Sequence, residues 1–322
     1  MILVTGGTGF IGSHLVDRLL AQGQSVRCLV RRTGQFERIP VEVVRGDLVT
    51  SDNLTHALRD VDTVIHLAGV TKAFRTADYY AGNLQATENL ARAITRQRHP
   101  IRLVHVSSLA AIGPGQDATP VAEDAEPHPI AHYGKSKLEG ERVLRAIMPQ
   151  AVIVRPAVVY GPRDTDVFQI LKSVSQGVVP RIAGGERWVS AIYVNDLVEG
   201  IIAASCAPNA TGRAFFLAHP EPVSWSGFVA IAAKIMGRKP RVLTVPAPVA
   251  YAVGYGAELW ARLIRKPGIV SRDKIAETRC PYWICDTSRA KNEIGFKATT
   301  PISDGLAMTL AWYREAGWLK WS

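Results

Sequence analysis

Two side chains capable of acid–base chemistry lie four residues apart in the segment Tyr133-Gly134-Lys135-Ser136-Lys137. On a helix this spacing puts Tyr133 and Lys137 on the same face. A cation beside a phenol stabilises the phenolate, which lowers the tyrosine pKa from about 10 toward working pH and makes a usable proton donor or acceptor. The same spacing also occurs on solvated helix faces, so this interpretation depends on the rest of the sequence.

A glycine-rich turn near the N-terminus predicts a binding site for a pyrophosphate. Gly6, Gly9 and Gly12 lie between an apolar strand pattern at 2–5 and a helical pattern at 10–22. Small residues let the backbone turn tightly and approach a pyrophosphate, whose charge is favourable at a helix N-terminus. Because the turn joins a strand to a helix within a βαβ pattern, we expect it to bind a dinucleotide cofactor.

The elements that would position these residues alternate between strands and helices. Apolar runs predict strands at 2–5, 26–30, 41–44, 63–67, 103–107 and 151–155. Helical patterns occupy 10–22 (closed by Gly23), a segment that opens at Ser51-Asp52, and residues 78–98 and 130–147. This alternation predicts an α/β protein with a Rossmann-type, doubly wound parallel sheet.

The pattern changes after Gly161-Pro162, where the sequence becomes irregular and rich in Pro and Gly. We therefore interpret residues 1–162 as the NAD(P)-binding domain. Residues 163–322 would be mainly a smaller C-terminal substrate-binding lobe, with some segments (about 188–206) returning to the main sheet.

The segment Thr5–Gly12, with the spacing G-x-x-G-x-x-G, resembles the fingerprint of the extended short-chain dehydrogenase/reductase superfamily. Its members carry a Ser or Thr about 25 residues before the Tyr, which here is Ser108, with Ser107 as its neighbour. The resemblance implies a catalytic set of Ser108, Tyr133 and Lys137, in which Lys137 also holds the nicotinamide ribose. The chain also resembles the superfamily at Gly46-Asp47-Leu48, at His66-Leu67-Ala68-Gly69 and at the structural Asn83. The cofactor-binding residues so implied are Gly6, Thr8, Gly9, Phe10, Ile11, Gly12, Asp47, Leu48, Leu67, Ala68, Gly69, Tyr133, Lys137 and Pro156.

The end of the second predicted strand bears on the choice between NAD and NADP. Enzymes that use NAD place an acidic residue there for the ribose hydroxyls. This chain has Arg31 and Arg32 instead, and guanidinium groups can hold a 2′-phosphate in bidentate fashion. We therefore favour NADP over NAD, with the solvated basic turn as the alternative.

The substrate class is less constrained, because ketone reductases and sugar-nucleotide enzymes of this superfamily share the Ser, Tyr and Lys. The segments Ser107–Pro114 and Arg155–Pro162 resemble the hydroxysteroid dehydrogenase and dihydroflavonol reductase branch. The chain has Ala157 and Val158 where sugar-nucleotide enzymes commonly have Phe and Asn. We predict an NAD(P)-dependent oxidoreductase that moves hydride to or from a hydrophobic carbonyl or alcohol.

Two alternatives stay open: a sugar-nucleotide epimerase or dehydratase with tightly bound NAD, and a non-catalytic NADP-binding regulatory or structural protein. Arg187 and the run Tyr193–Asp196 also occur among sugar-nucleotide enzymes. The uncharged stretch 242–257 would form a pocket or lid for a hydrophobic ketone, a buried helix, or a contact with a bilayer surface.

Composition limits the partners. The net charge of +10 favours anionic ligands, but no DNA-binding motif accompanies the basic residues. The four cysteines lack the spacing of a zinc site, and no metal site is expected. We expect a cytoplasmic protein with no signal peptide or transmembrane segment. We expect a small-molecule substrate. Contact with a membrane surface stays open, and the resemblance to the superfamily implies a homodimer.

Overall fold

A computed structural model of the 322-residue chain describes residues 1–32, 40–264 and 272–321, with backbone alone for 257–264 and 272–274. Its strands are β1 (Ile2–Thr5), β2 (Val26–Val30), β3 (Glu42–Arg45), β4 (Thr63–His66), β5 (Arg102–Val106), β6 (Val152–Pro156), β7 (Val158–Tyr160), β8 (Val178–Ile182), β9 (Trp188–Val189), β10 (Ala191–Tyr193), β11 (Ala214–Leu217), β12 (Val223–Ser224), β13 (Arg241–Val245) and β14 (Tyr282–Trp283).

Its helices are α1 (Phe10–Ala21), α2 (Leu54–Ala57), α3 (Thr76–Tyr80), α4 (Ala86–Thr95), α5 (His132–Ile147), α6 (Val167–Ser175), α7 (Val194–Cys206), α8 (Trp225–Ile235), α9 (Ala247–Ile264), α10 (Arg272–Arg279), α11 (Ser288–Ile294) and α12 (Ile302–Glu315). A π-helical turn lies at Ala81–Gln85, and 3-10 turns lie at Leu109–Ala111 and Pro208–Ala210.

The main sheet has seven parallel strands in the order β11-β6-β5-β4-β1-β2-β3. β1 lies between β2 and β4, so the strand order reverses at β1. In sheets of this kind, ligands bind outside the carboxyl ends of the strands at such a reversal. The predicted Rossmann-type fold is confirmed, and the crevice at the ends of β1 and β4 is where this rule places a ligand.

Helices cover both faces of the sheet, which is why its strands are solid apolar runs. On one face α1 and α7 supply the core residues Leu15, Leu19, Leu197 and Ile201. On the other face α2, α4 and α5 supply Leu54, Leu90 and Leu144. Because helices bury both faces of the sheet, the ends of its strands are fixed. The loops at the carboxyl edge of the sheet therefore begin at fixed positions.

A third core lies in the C-terminal half, between α6, α8 and α12. It is aromatic as well as aliphatic, and Tyr160 packs edge-on against Phe228. The segment 188–206 is divided: β10 pairs with β7 outside the main sheet, whereas α7 packs on β5, β6 and α1. The seventh strand of the main sheet is β11, which comes from beyond residue 162.

Two local predictions were wrong. The helix expected to open at Ser51-Asp52 begins at Leu54 with Asn53 as its N-cap, because the backbone carbonyl of Asp52 is held by the amide of Asp47. The helix expected over 78–98 is interrupted by the π-helical turn and ends at Thr95. Gly23 follows the first helix in the left-handed conformation, with φ of 71°, as its C-cap position required.

Candidate active site

The glycine turn lies at the carboxyl end of β1, beside the end of β4. Gly6 has φ of 75°, and a Cβ there would lie 2.6 Å from the backbone nitrogen of Ala68. A Cβ on Gly12 would overlap the carbonyl oxygen of Gly6. Gly9 is the N-cap of α1, so the first amides of that helix have no side-chain cap. The turn therefore provides a tight cradle with free helix amides, which fits the pyrophosphate of a dinucleotide.

A chain of buried hydrogen bonds holds this crevice. Thr87 Oγ1 donates to the carbonyl of Asn83 at 2.7 Å, so it accepts from His66 Nε2 at 3.1 Å. The Nδ1 atom of His66 then accepts from Thr5 Oγ1 at 2.7 Å, and Thr5 Oγ1 accepts from the amide of Ala68 at 3.3 Å. Burial lowers the pKa of His66 to about 3, with a smaller effect from Lys137. His66 is therefore neutral, and the chain joins β1 to the loop after β4.

Asn83 joins the same loop to the helix that carries the Tyr and Lys. Its amide oxygen accepts from Val70 N at 2.8 Å, and its amide nitrogen donates to Val70 O and to Ser136 Oγ, both at 2.9 Å. The side chain is 1% exposed. These bonds place the residue in the π-helical turn, which explains the break in the predicted helix. Asn83 is a positioning residue that fixes α5 against the loop after β4.

The structure brings Ser108, Tyr133 and α5 together at the end of β5. Ser108 is the N-cap of the 3-10 turn, and its Oγ accepts from Ala110 N at 3.1 Å. The Ser108 side chain lies close enough to the Tyr133 hydroxyl to lower the pKa of that phenol. A Cβ on Gly134 would overlap the carbonyl oxygen of Ala110, so only glycine lets α5 approach this closely. Sequence reasoning missed that role of Gly134, although the residue lies inside the motif.

Lys137 is 4% exposed, and its Nζ donates to the carbonyl oxygen of Val106 at 2.7 Å. Burial lowers its pKa to about 8, although the negative charge of Glu141 acts in the opposite direction. Glu141 itself is held by Arg155 through bonds of 3.0 and 2.6 Å in the core. The ammonium thus lies buried at the carboxyl end of β5, against the last residue of that strand.

The pKa of Tyr133 differs from the expectation. Burial raises it to about 12, and the nearby Ser108 side chain lowers it by less than burial raises it. The charges of Glu277 and Asp166 raise it further. The residue as a whole is half-buried. In this state Tyr133 is protonated at neutral pH and suited to donating a proton.

Glu277 and Asp166 were not found from the sequence. Glu277 is on α10 and Asp166 precedes α6, both far along the chain from Tyr133. Lys72 forms an ion pair with Asp166. No local pattern marks these carboxylates, since only the packing of the C-terminal half brings them near the phenol.

The remaining cofactor candidates lie at the same edge of the main sheet. Arg31 and Arg32 directly follow β2 and are exposed, and Pro156 ends β6. Asp47 and Leu48 follow β3; the carboxylate of Asp47 accepts from Val49 N at 2.7 Å. The loop after β4 contains Leu67, Ala68 and Gly69, and a Cβ on Gly69 would lie 3.7 Å from Lys137 Nζ. Candidate cofactor-binding residues that are far apart in the sequence thus lie at the same edge of the main sheet.

The uncharged stretch 242–257 contains most of β13 and the first part of α9. Residues 242–245 belong to β13, which is mostly exposed, and α9 begins at Ala247. The side chain of Ala257 lies outside the described residues. Tyr251 of α9 lies under the guanidinium of Arg279 on α10, 5.8 Å from the ring centre. Within the described residues, no helix is long and apolar enough to cross a membrane.

Comparisons with known proteins show the family of this chain. A model of the NAD dependent epimerase/dehydratase family matches residues 2–218. The chain is 32% identical to a ceramide reductase of Caulobacter vibrioides, over 99% of this chain and 96% of that protein. It is 26% identical to a 2-alkyl-3-oxoalkanoate reductase of Shewanella oneidensis, over 94% and 84%.

A solved structure also resembles this chain. It is that of MoeE5 in complex with UDP-glucuronic acid and NAD, with a TM-score of 0.77 and 26% identity. The alignment covers 98% of this chain and 99% of MoeE5. Reductases and a sugar-nucleotide enzyme are thus both similar to this chain along nearly its whole length.

Proposed function

The chain belongs to the NAD-dependent epimerase/dehydratase family and is an NAD(P)-dependent oxidoreductase of the extended short-chain dehydrogenase/reductase type; on this premise we propose that it reduces a ketone on a hydrophobic, lipid-like substrate with NADPH. The observation that carries the proposal is the close approach of α5 to the turn after β5, which places Tyr133 beside Ser108, with the pKa of the Tyr133 phenol raised to about 12 by burial. A protonated phenol is the form needed to deliver a proton to a reduced carbonyl oxygen.

The proposed division of labour follows from the positions of the side chains. Bound NADPH supplies the hydride, which forms the new C–H bond at the carbonyl carbon. Ser108 and Tyr133 donate hydrogen bonds to the carbonyl oxygen, and Tyr133 transfers its proton to that oxygen as the C=O π bond breaks. The ammonium of Lys137 stabilises the resulting phenolate and holds the nicotinamide ribose. The glycine turn and the loop after β4 orient the cofactor.

NADPH is favoured over NADH because Arg31 and Arg32 follow β2 with exposed side chains. Two guanidinium groups at this position complement a 2′-phosphate. The family is NAD-dependent in description, so the preference for the phosphorylated cofactor is a property that we propose for this chain.

A lipid-like ketone is favoured over a sugar nucleotide by the state of two residues that sugar-nucleotide enzymes share. Arg187 is buried and donates to the carbonyls of Ile182 and Ala183. Asp196 accepts from Thr300 N at 2.8 Å, and from its hydroxyl at 2.8 Å. Asp196 is thus engaged within the protein, and so is one end of the Arg187 guanidinium, whose Nε has no hydrogen-bond partner among the described residues. The named relatives that act on a ceramide and on an oxoalkanoate support the same choice.

The test is NADPH oxidation by the purified protein with a panel of hydrophobic ketones and of UDP-sugars. We expect turnover with a ketone, and a loss of about 10²- to 10⁴-fold in kcat in Tyr133→Phe and Ser108→Ala. Ser107→Ala is the matched control, because the buried Ser107 hydroxyl has no hydrogen-bond partner among the described residues.

Three outcomes would contradict the proposal. A UDP-sugar converted without net redox change, with NAD retained on the protein, would make it an epimerase or dehydratase. Tight NADPH binding with no ketone reduced would favour the non-catalytic role. Equal losses of kcat in Ser107→Ala and Ser108→Ala would contradict the assignment of Ser108 as a catalytic residue.

A further inference from the structure

An apolar surface lies exposed on the C-terminal half of the chain. Val242 and Leu243 of β13 are 50% and 54% exposed, and Val253 of α9 is 59% exposed. We call this surface the ribbon face; its residues are Val242, Leu243, Val249, Val253 and Tyr255 together with the exposed cations Lys234, Lys239 and Arg241.

The local architecture explains why these side chains are not buried. β13 pairs with β8 in a two-stranded ribbon, with Val242 opposite Val179. Successive side chains of a strand point to opposite faces, and four consecutive residues of β13, from Arg241 to Thr244, are exposed. The third core covers Val179 of β8, which is 2% exposed, but it does not extend over β13, so the apolar side chains of β13 meet solvent or a partner.

An open groove of about 380 Å³ continues the surface beneath β13. Its base is apolar, formed by Val179, Trp225 and Val229. Its described lining also includes the cations Arg181, Lys234, Arg238 and Lys239, and no Asp or Glu. The carboxylate of Glu186 accepts from Ser226 at the edge of the groove, so cations outnumber acids there. Apolar side chains within a mainly cationic rim are the pattern of surfaces that rest on anionic lipid bilayers.

We propose that the ribbon face docks on an anionic lipid bilayer. The apolar side chains would enter the boundary between headgroups and acyl chains, and the cations would meet lipid phosphates. Self-association through the same face is disfavoured, because it would bring two cationic rims together. Charge complementarity therefore selects the bilayer as the occupant.

The helix α9, which carries part of the ribbon face, packs on α10, and these two helices form a covering that reaches toward Tyr133 through Glu277. Tyr251 of α9 contacts Arg279 of α10, and α10 also carries Glu277, whose charge acts on Tyr133. A docked protein would hold this covering near the membrane surface. Delivery of a lipid ketone from the bilayer to Tyr133 rests on the proposed function, whereas the docking itself does not.

The test is co-sedimentation of the full chain with vesicles of phosphatidylcholine alone or with about a quarter phosphatidylglycerol. We expect binding to the anionic vesicles that weakens in high salt. Lys239→Gln/Arg241→Gln should lower the partition coefficient about 25-fold, which is about fivefold for each cation. Lys291→Gln/Lys297→Gln is the matched control, since both lysines are exposed on another part of the surface.

The apolar contribution is tested by Leu243→Glu against Met308→Glu, because Met308 is 45% exposed on α12. Leu243→Glu should lower vesicle binding at least tenfold and leave NADPH oxidation with a water-soluble ketone unchanged. Equal vesicle binding by both variants and the wild type would overturn docking through this face. So would a dimer that forms without lipid and dissociates in Leu243→Glu.

The two proposals fail separately in these assays. Vesicle binding with no ketone reduction overturns the proposed function and supports docking. Reduction of a soluble ketone with no binding to anionic vesicles overturns docking and supports the proposed function.

Discussion

Lys137 is predicted to lower the stability of the protein at neutral pH, and its replacement by Met tests this. Its pKa is about 8 in the folded chain, against 10.5 for an ordinary lysine. At pH 7 the ammonium is charged in both folded and unfolded states, and burial of that charge costs the folded state about 3 kcal/mol. Lys137→Met removes this cost, and it leaves the Val106 carbonyl without its 2.7 Å donor, which offsets about 1–3 kcal/mol.

The pH dependence separates these two effects. Between pH 8 and 10.5 the unfolded wild type binds more protons than the folded protein, so its free energy of unfolding rises with pH through this window. The variant lacks that titration. The wild type should therefore gain about 2–3 kcal/mol relative to Lys137→Met between pH 7 and pH 10. Other buried groups whose pKa is perturbed, such as the Cys28 thiol, are present in both proteins and cancel.

The assay is urea unfolding of the ligand-free proteins at a series of pH values, with the free energy of unfolding extrapolated to water. Lys135→Met on the exposed side of the same helix is the control, and its stability relative to the wild type should not change with pH. A difference between wild type and Lys137→Met that stays constant within about 1 kcal/mol from pH 7 to pH 10 would refute the reasoning.

Three further predictions follow from contacts in the crevice. Gly12→Ala should abolish NADPH binding measured by fluorescence titration, since its Cβ would overlap the turn, whereas Gly256→Ala, with no atom within 4 Å, should bind normally. Arg31→Ala should weaken NADPH binding about 10- to 100-fold and NADH binding little, while Arg98→Ala changes neither; equal losses for both cofactors would count against the 2′-phosphate contact. Asn83→Ala should destabilise the protein by about 2–4 kcal/mol in urea unfolding, because the backbone groups of the loop after β4 lose their buried partner; a loss below about 1 kcal/mol would contradict this.

Local sequence patterns predicted the main strands and the first helix well, because they depend on neighbours in the chain. The runs at 2–5 and 26–30 coincide with β1 and β2, and the predicted 130–147 helix corresponds to α5 at His132–Ile147. Glycine spacing predicted the turn for the same reason: its constraint is short-range, as the overlap of a Gly12 side chain with Gly6 shows.

Other features depended on contacts that no local pattern contains. The π-helical turn forms because Asn83 binds Val70 and Ser136, which are 13 and 53 residues away. The helix predicted at Ser51-Asp52 starts later because Asp52 pairs with Asp47. In each case a hydrogen bond to another part of the chain outweighed the local preference for a regular α-helix.

The sequence by itself determined the α/β alternation, the nucleotide-binding turn and the identity of the Ser, Tyr and Lys candidates. The tertiary structure decided their protonation. The Tyr–Lys spacing predicted a lowered tyrosine pKa, yet burial raises the pKa of Tyr133 to about 12 and lowers that of Lys137 to about 8. Spacing fixes which groups lie on one helix face, whereas the free energy of a charge depends on how much water the rest of the fold removes around it.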